Sequence, residues 1–191
     1  KSVFTDYNIY FEKRRGNKDS TLSVCQRKRA EYVMRLIDPG SSVIDLGCGD
    51  GAILQYLRDH HKIRGIGVEV STWALERVRG LGFEVIDLDF SKIIESPESI
   101  NLLPEVDYIL GFEILEHMPY PEGFVLALRN KARKGLIFSF PNTGYYTHRL
   151  RLLFGRFPLQ WITHPGEHLR FWAVKDVKWW ISRDVRQLND V

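Results

Sequence analysis

Val43-Ile44-Asp45-Leu46-Gly47-Cys48-Gly49-Asp50-Gly51 is the stretch on which the reading of this chain turns. Val43, Ile44 and Leu46 favour a strand, and the strand stops at Gly47. Gly47, Gly49 and Gly51 follow at alternate positions. Ala52, Ile53, Leu54, Tyr56 and Leu57 then repeat apolar residues at helical spacing. A strand, a glycine turn and a helix in that order make a site for a polar, nucleotide-like ligand. Glycine removes the Cβ that would hold the backbone away from that ligand. The helix N-terminus adds unpaired N–H groups and a partial positive charge.

The glycines alone do not choose the ligand, because Gly47-x-Gly49-x-x-Ala52 also satisfies the dinucleotide fingerprint. Two acids tilt the reading. Asp45 sits inside the end of the strand, where a dinucleotide fold carries another apolar residue, and its carboxylate can face a ligand ammonium. Gly65-Ile66-Gly67-Val68-Glu69 reads as the next strand. Its terminal Glu69 lies at the distance from the glycines that suits acceptance from ribose hydroxyls. The bland alternative for both acids is solubility at strand ends.

Asp45-Leu-Gly-Cys-Gly-Asp-Gly followed by Gly67-Val-Glu resembles motif I and its acidic partner in class I S-adenosylmethionine-dependent methyltransferases. The resemblance runs to about Val177 and so covers most of the chain. Three further stretches are similar to the methionine-biosynthesis protein W (MetW) group of that class. They are Arg79-Gly80-Leu81, Asp87-Leu88-Asp89, and Phe138-Ser-Phe-Pro-Asn-Thr-Gly144 with Arg149, Leu150, Gly155, Arg156 and Pro158. The resemblance implies S-adenosylmethionine as cofactor, with S-adenosylhomocysteine as its product. It implies that Asp45 and the Gly47 backbone meet the methionine end, that Glu69 takes the ribose hydroxyls, and that Asp87 with the Leu88 backbone meets the adenine, with Cys48, Gly49 and Val70 also among the cofactor-binding residues. Asp89 competes with Asp87 for the adenine amino group. Phe112 falls where the fourth strand passes the methionine portion. Some members of the MetW group are linked to homoserine acylation as partners of an acyltransferase. Phe112-Glu-Ile-Leu-Glu-His117, by contrast, is closer to small-molecule and sugar methyltransferases of the broader class.

Composition bounds the rest. A length of 191 residues is enough for one domain with its own core, and 44% hydrophobic and 27% charged residues are ordinary for a globular chain. A net charge of +3 is too small to point to nucleic acid. Of the two cysteines, Cys48 lies in the glycine turn, so two free thiols and a reducing, cytoplasmic setting are expected. No apolar run reaches the roughly 18 residues of a membrane span, and no leader is legible.

Read in order, residues 1–22 form a polar arm with scattered aromatics. It is either a solvated basic patch around Lys13-Arg14-Arg15, or a lid whose Tyr7, Tyr10 and Phe11 close over the site. Ser23–Ile37 reads as a helix with Ala30, Val33, Met34 and Ile37 inward and Arg27, Lys28, Arg29 and Glu31 outward. Ser71 caps a helix through Arg79. Further strands are expected at Phe83–Ile86, Val106–Phe112 and Gly135–Phe140, with helices at Phe124–Asn130 and Phe171–Ile181 and an irregular crossover over residues 93–105. Short apolar strands alternating with helices predict a doubly wound, mostly parallel α/β sheet covered on both faces, the Rossmann-like class I methyltransferase architecture. Its ligand-facing loops lie at the strand C-termini. A full sheet of this class carries two more strands, and Arg183–Val191 is too short and polar to supply both. Residues 143–170, rich in Tyr, His and Arg, break the rhythm and read as a substrate-side insertion.

On the acceptor side, Glu113, Glu116 and His117 share one face if the turn after the fourth strand is helical, with Pro119 and Pro121 breaking it. His168 returns to the same place from the insertion. The chemistry open to them is a general base at His117, since imidazole titrates near neutrality, or a metal held by all four. The base is preferred, because it needs one residue and the metal needs four to converge. A plain capped, solvated helix start remains the alternative to both. Two functions from different classes follow. One is a methyltransferase acting on an oxygen or nitrogen of a small molecule or glycan. The other is a cofactor-sensing partner of a homoserine acyltransferase. A nucleic-acid strand gripped by Arg149, Arg151 and Arg156 among Tyr145, Tyr146 and Trp161 ranks below both.

Overall fold

The computed structural model describes residues 22–89, 96–157 and 168–185. The aromatic arm, Trp161, and most of the insertion beyond Phe157 therefore lie outside the described residues. The described residues fall into two compact units. The first holds those up to Gly111 together with Leu128–Ile137. The second holds Phe112–Ala127 and those from Phe138 onward.

In the first unit, β1 (Ser42–Leu46), β2 (Arg64–Glu69), β3 (Glu84–Asp87), β4 (Val106–Phe112) and β5 (Ala132–Ser139) form one sheet in the order β3-β2-β1-β4-β5, the last residues of β4 and β5 belonging to the second unit. β1 pairs in parallel with both β2 and β4, and β2 pairs in parallel with β3. The chain moves outward from β1 to β3 and then returns to β1's other side at β4. That reversal is where an open α/β sheet opens a crevice at its strand C-termini. Val43, Ile44, Leu46, Val68, Ile109 and Leu110 are fully buried, as strands covered on both faces require.

Three α-helices pack in this unit, α1 (Val24–Met34), α2 (Ala52–His61) and α3 (Thr72–Gly80), and a 3-10 helix (Pro97–Leu102) orders part of the crossover expected to be irregular. α1 meets α2, while α2 and α3 lie on β2, and α3 also covers β3. Ala30 and Val33 of α1, Leu54 and Leu57 of α2, and Leu75 and Val78 of α3 supply the apolar faces. Burying such aliphatic side chains stabilises the fold by about 1.5–3 kcal/mol each. Ser23 starts α1 through a capping box with Gln26, and the Ser71 hydroxyl accepts from the Ala74 amide at the start of α3. At the N-terminal ends of the strands, Asp107 of β4 accepts from the Ser42 amide and hydroxyl of β1, both at 2.9 Å, and from Arg133 of β5.

The second unit contains a single 3-10 turn (Leu115–His117), most of α4 (Pro121–Arg129), α5 (Tyr146–Leu153), α6 (Val174–Trp180) and a π turn (Ile181–Val185). Pro121 opens α4 instead of breaking a helix, because the first helical position has no N–H obligation to lose. α5 lies within the stretch read as a substrate-side insertion. Asn142 bridges to Trp172, whose ring stacks on Trp180, and the Trp180 indole N–H donates to Glu122. Among the described residues, no helix is long and apolar enough to cross a membrane.

Candidate active site

Leu46 hands the chain to the glycine turn. Gly47, Gly49 and Gly51 have φ of 68°, 53° and 78°, the left-handed region that strains any residue with a Cβ. The turn is anchored on β2, where the Val68 carbonyl accepts from the Gly47 amide at 2.8 Å and from the Cys48 amide at 3.2 Å. This approach needs Gly67 below it. A Cβ there would stand 2.8 Å from Cys48 Sγ and 3.0 Å from Val78 Cγ1. Gly51 precedes α2 and has no side chain to cap it. Asp50 does so instead, accepting from the Ala52 amide at 3.4 Å.

Glu69 ends β2 beside the turn and is buried. One carboxylate oxygen accepts from the Gly49 amide at 3.1 Å. The other accepts from the amides of Val70 at 2.8 Å and Ser71 at 3.3 Å. Burial raises its pKa, and these amides pull it back down. Asp45 pairs in register with Gly67 and is 2% exposed. Burial pushes its carboxyl up to about 8, against the pull of the Arg29 charge and with the repulsion of Glu69 added. Its Oδ1 is buried with no hydrogen-bond donor among the described residues.

Asp87 ends β3 in register with Glu69 and is exposed, while the Leu88 amide donates to the Glu69 carbonyl at 3.3 Å and Leu88 is buried. Asp89, its rival for the adenine, is half-buried. Cys48 is buried and its thiol pKa is pushed up by desolvation; Val70 is exposed. The strand C-termini thus bring Asp45, Gly47, Cys48, Gly49, Glu69, Val70, Asp87 and Leu88 to one edge of the sheet. Phe112 closes β4 and is half-buried.

Sequence reasoning sent Arg29 outward, yet its charge acts on Asp45. Its neighbour Ala30 is fully buried, so Arg29 stands at the margin of the helix's inner face. The Ser71 amide as a donor to Glu69 was also missed. The only sequence signal for it was the short link between Glu69 and the α3 cap.

In the second unit, the turn after β4 is a single 3-10 turn, and Glu113 stands before it with φ of 56°. The expected one-faced Glu113, Glu116, His117 set therefore does not form. Glu116 is buried and His117 is exposed. Their ligand atoms and that of His168 lie within 4.8 Å of one another, without Glu113. On α5, Arg149 donates to the Gly144 carbonyl at 2.7 Å and Arg151 to the Phe157 carbonyl at 3.2 Å. These guanidinium groups tie local backbone.

A parallel sheet ordered 3-2-1-4-5, with a glycine turn after β1 and an acid closing β2, is the fold of class I methyltransferases. A SAM-dependent methyltransferase from Archaeoglobus fulgidus matches 93% of this chain and 73% of its own, with a TM-score of 0.63 at 17% identity, a likeness of fold. The profile of the family described as methionine biosynthesis protein MetW matches residues 27–186, and the chain belongs to that family. It is similar to the bifunctional methionine biosynthesis protein MetXA/MetW of Rhodopirellula baltica, at 33% identity over 84% of this chain and 26% of that protein. It is also similar to the ubiquinone biosynthesis O-methyltransferase of Nitrosococcus oceani, at 28% identity over 56% of this chain and 46% of that one. The chain therefore spans about a quarter and under half of these two relatives.

Proposed function

We propose that this chain binds S-adenosylmethionine at the β1–α2 turn and transfers its methyl group to an oxygen or nitrogen of a small molecule or glycan. The observation that carries the reading is the pair of buried carboxylates flanking the turn. Asp45 offers Oδ1, a buried acceptor without a donor, to the methionine ammonium. Glu69 is aimed by three backbone amides and retains acceptor capacity for ribose hydroxyls. Leu88 and Asp87 stand next in register for the adenine.

In the transfer, the acceptor lone pair forms the new bond to carbon as the carbon–sulfur bond breaks. Its electrons return to sulfur, so the sulfonium becomes the thioether of S-adenosylhomocysteine. The acceptor's proton leaves to a base, for which His117 is our assignment. The cationic leaving group lets alignment of nucleophile, methyl and sulfur supply much of the rate.

A second reading is favoured by one observation, the relative that carries MetXA and MetW in a single protein. In it the chain senses the cofactor and regulates a homoserine acyltransferase. One set of experiments separates the two. Calorimetry should give binding of S-adenosylhomocysteine, and a labelled-methyl screen over metabolites should give a methylated product. Binding without transfer to any acceptor, with a changed acyltransferase rate on mixing, would favour the second reading. Tight NAD binding in place of S-adenosylhomocysteine would overturn both.

A further inference from the structure

Away from the glycine turn, the described residues contain one gathering of metal-ligating side chains. Glu116, His117 and His168 each offer a ligand atom, all within 4.8 Å of one another. We infer that these three side chains hold a divalent first-row transition-metal cation.

The backbone builds the cluster. The 3-10 turn presents Glu116 inward, at 1% exposure, and His117 outward. The segment carrying His168 is fastened to this turn at the very residue in question. The Glu116 carbonyl accepts from the Leu169 amide at 2.7 Å and from the Arg170 amide at 3.1 Å, and the Arg170 guanidinium donates to the Pro119 carbonyl at 2.6 Å. These bonds hold the His168 ring edge-on to His117, with centroids 4.8 Å apart and planes at 84°. The carboxylate and two imidazoles gathered here are ligand types that one divalent cation takes together.

The donor set narrows the metal. Calcium and magnesium select all-oxygen shells, whereas two imidazoles and one carboxylate suit zinc, iron, cobalt or manganese. Three protein ligands leave coordination positions open, so the cation can bind and polarise an oxygen of a second molecule. Its binding needs no cofactor. Its use on a methyl acceptor rests on the proposed transferase activity. With the cation bound, His117 serves as a ligand and not as the base assigned for the metal-free chain, the cation makes the acceptor oxygen more acidic, and the proton leaves to solvent.

The test uses tag-free protein stripped with a chelator and titrated with Co(II), followed by visible d–d absorption and calorimetry. One Co(II) per chain is expected. His117→Gln and His168→Gln should each weaken binding at least about tenfold, with circular-dichroism melting confirming that both variants fold. Glu116→Gln provides a third variant with the same expectation. No bound Co(II), equal binding by both histidine variants, or a thiolate charge-transfer band placing the metal on Cys25 or Cys48 would overturn the site. Two histidines in edge contact and nothing more would give the first of these results. S-adenosylhomocysteine titrated in parallel under chelator separates the two proposals. Cofactor binding without metal binding sinks the metal site alone, and metal binding without cofactor binding upholds it while sinking the transferase reading.

Discussion

The Glu69 carboxylate accepts a hydrogen bond from the Gly49 amide at 3.1 Å, so the acid that ends β2 holds the middle of the turn that follows β1. The same side chain accepts from Val70 and Ser71 and links the turn to the start of α3. The proposed ribose contact and the loop geometry therefore fall on one residue.

Glu69→Ala should lower affinity for S-adenosylhomocysteine at least tenfold, since hydrogen bonds to a charged acceptor are each worth about 1.5–3 kcal/mol. The melting temperature should also fall, because three amides lose their acceptor. Calorimetry and thermal melting read the two effects separately. A melting shift with unchanged affinity would remove Glu69 from the ribose.

Asp45 predicts proton release on cofactor binding. Its carboxyl is raised to about 8 by burial, so it is mostly protonated at pH 7, whereas a ligand ammonium favours the ionised form. Calorimetry at pH 7 in buffers of different ionisation enthalpy should show a proton released, and Asp45→Asn should abolish it. The sign for stability follows from the same value. Between about pH 4 and pH 8 the native chain binds more protons at this site than the unfolded chain, so stability falls as pH rises through that window. The Asp45→Asn protein should lose less melting temperature than the parent between pH 5 and pH 8.

Gly67→Ala places a methyl group 2.8 Å from Cys48 Sγ. Overpacking of this kind costs about 1–3 kcal/mol. Cys48→Ala in the same chain removes the sulfur and should recover part of that loss in urea unfolding. Full additivity of the two substitutions would show that the clash is not what Gly67 avoids.

Asp107 joins the N-terminal ends of β1, β4 and β5 through Ser42 and Arg133. Asp107→Asn should lower the melting temperature by roughly 2–6 °C with cofactor affinity unchanged. The Ser42 amide, with help from its hydroxyl and Arg133, holds the carboxyl down at about 2. Its contribution is complete above the unfolded value near 4 and is lost as pH falls through about 2. The difference between parent and variant should therefore vanish in strong acid.

The local signals were enough for the frame. Strand residues, then Gly47, Gly49 and Gly51, then an apolar helix face require only neighbours a few positions apart, and the structure has β1, the turn and α2 there. Val106–Phe112 was legible to the residue for the same reason. Glu69 could be singled out because the distance from a glycine turn to the end of the next strand is set by one strand–helix–strand unit. Local rules failed where two of them competed. After β4, Glu113 takes a left-handed conformation and the turn is 3-10, so the helical spacing that would align Glu113 with Glu116 and His117 does not apply.

Three features belong to tertiary structure alone. Arg29 acts on Asp45 because α1 packs in the same unit as β1, whereas helical periodicity sees only which face of α1 is apolar. The amides that aim Glu69 come from both sides of it in the chain, and only the parallel pairing of β1 with β2 brings Gly49 to the carboxylate. His168 reaches Glu116 and His117 because two backbone amides find the Glu116 carbonyl. Residue types and spacing determine which groups a chain possesses and the periods of its elements. Which distant groups meet is decided by packing and by hydrogen bonds that close across the sequence.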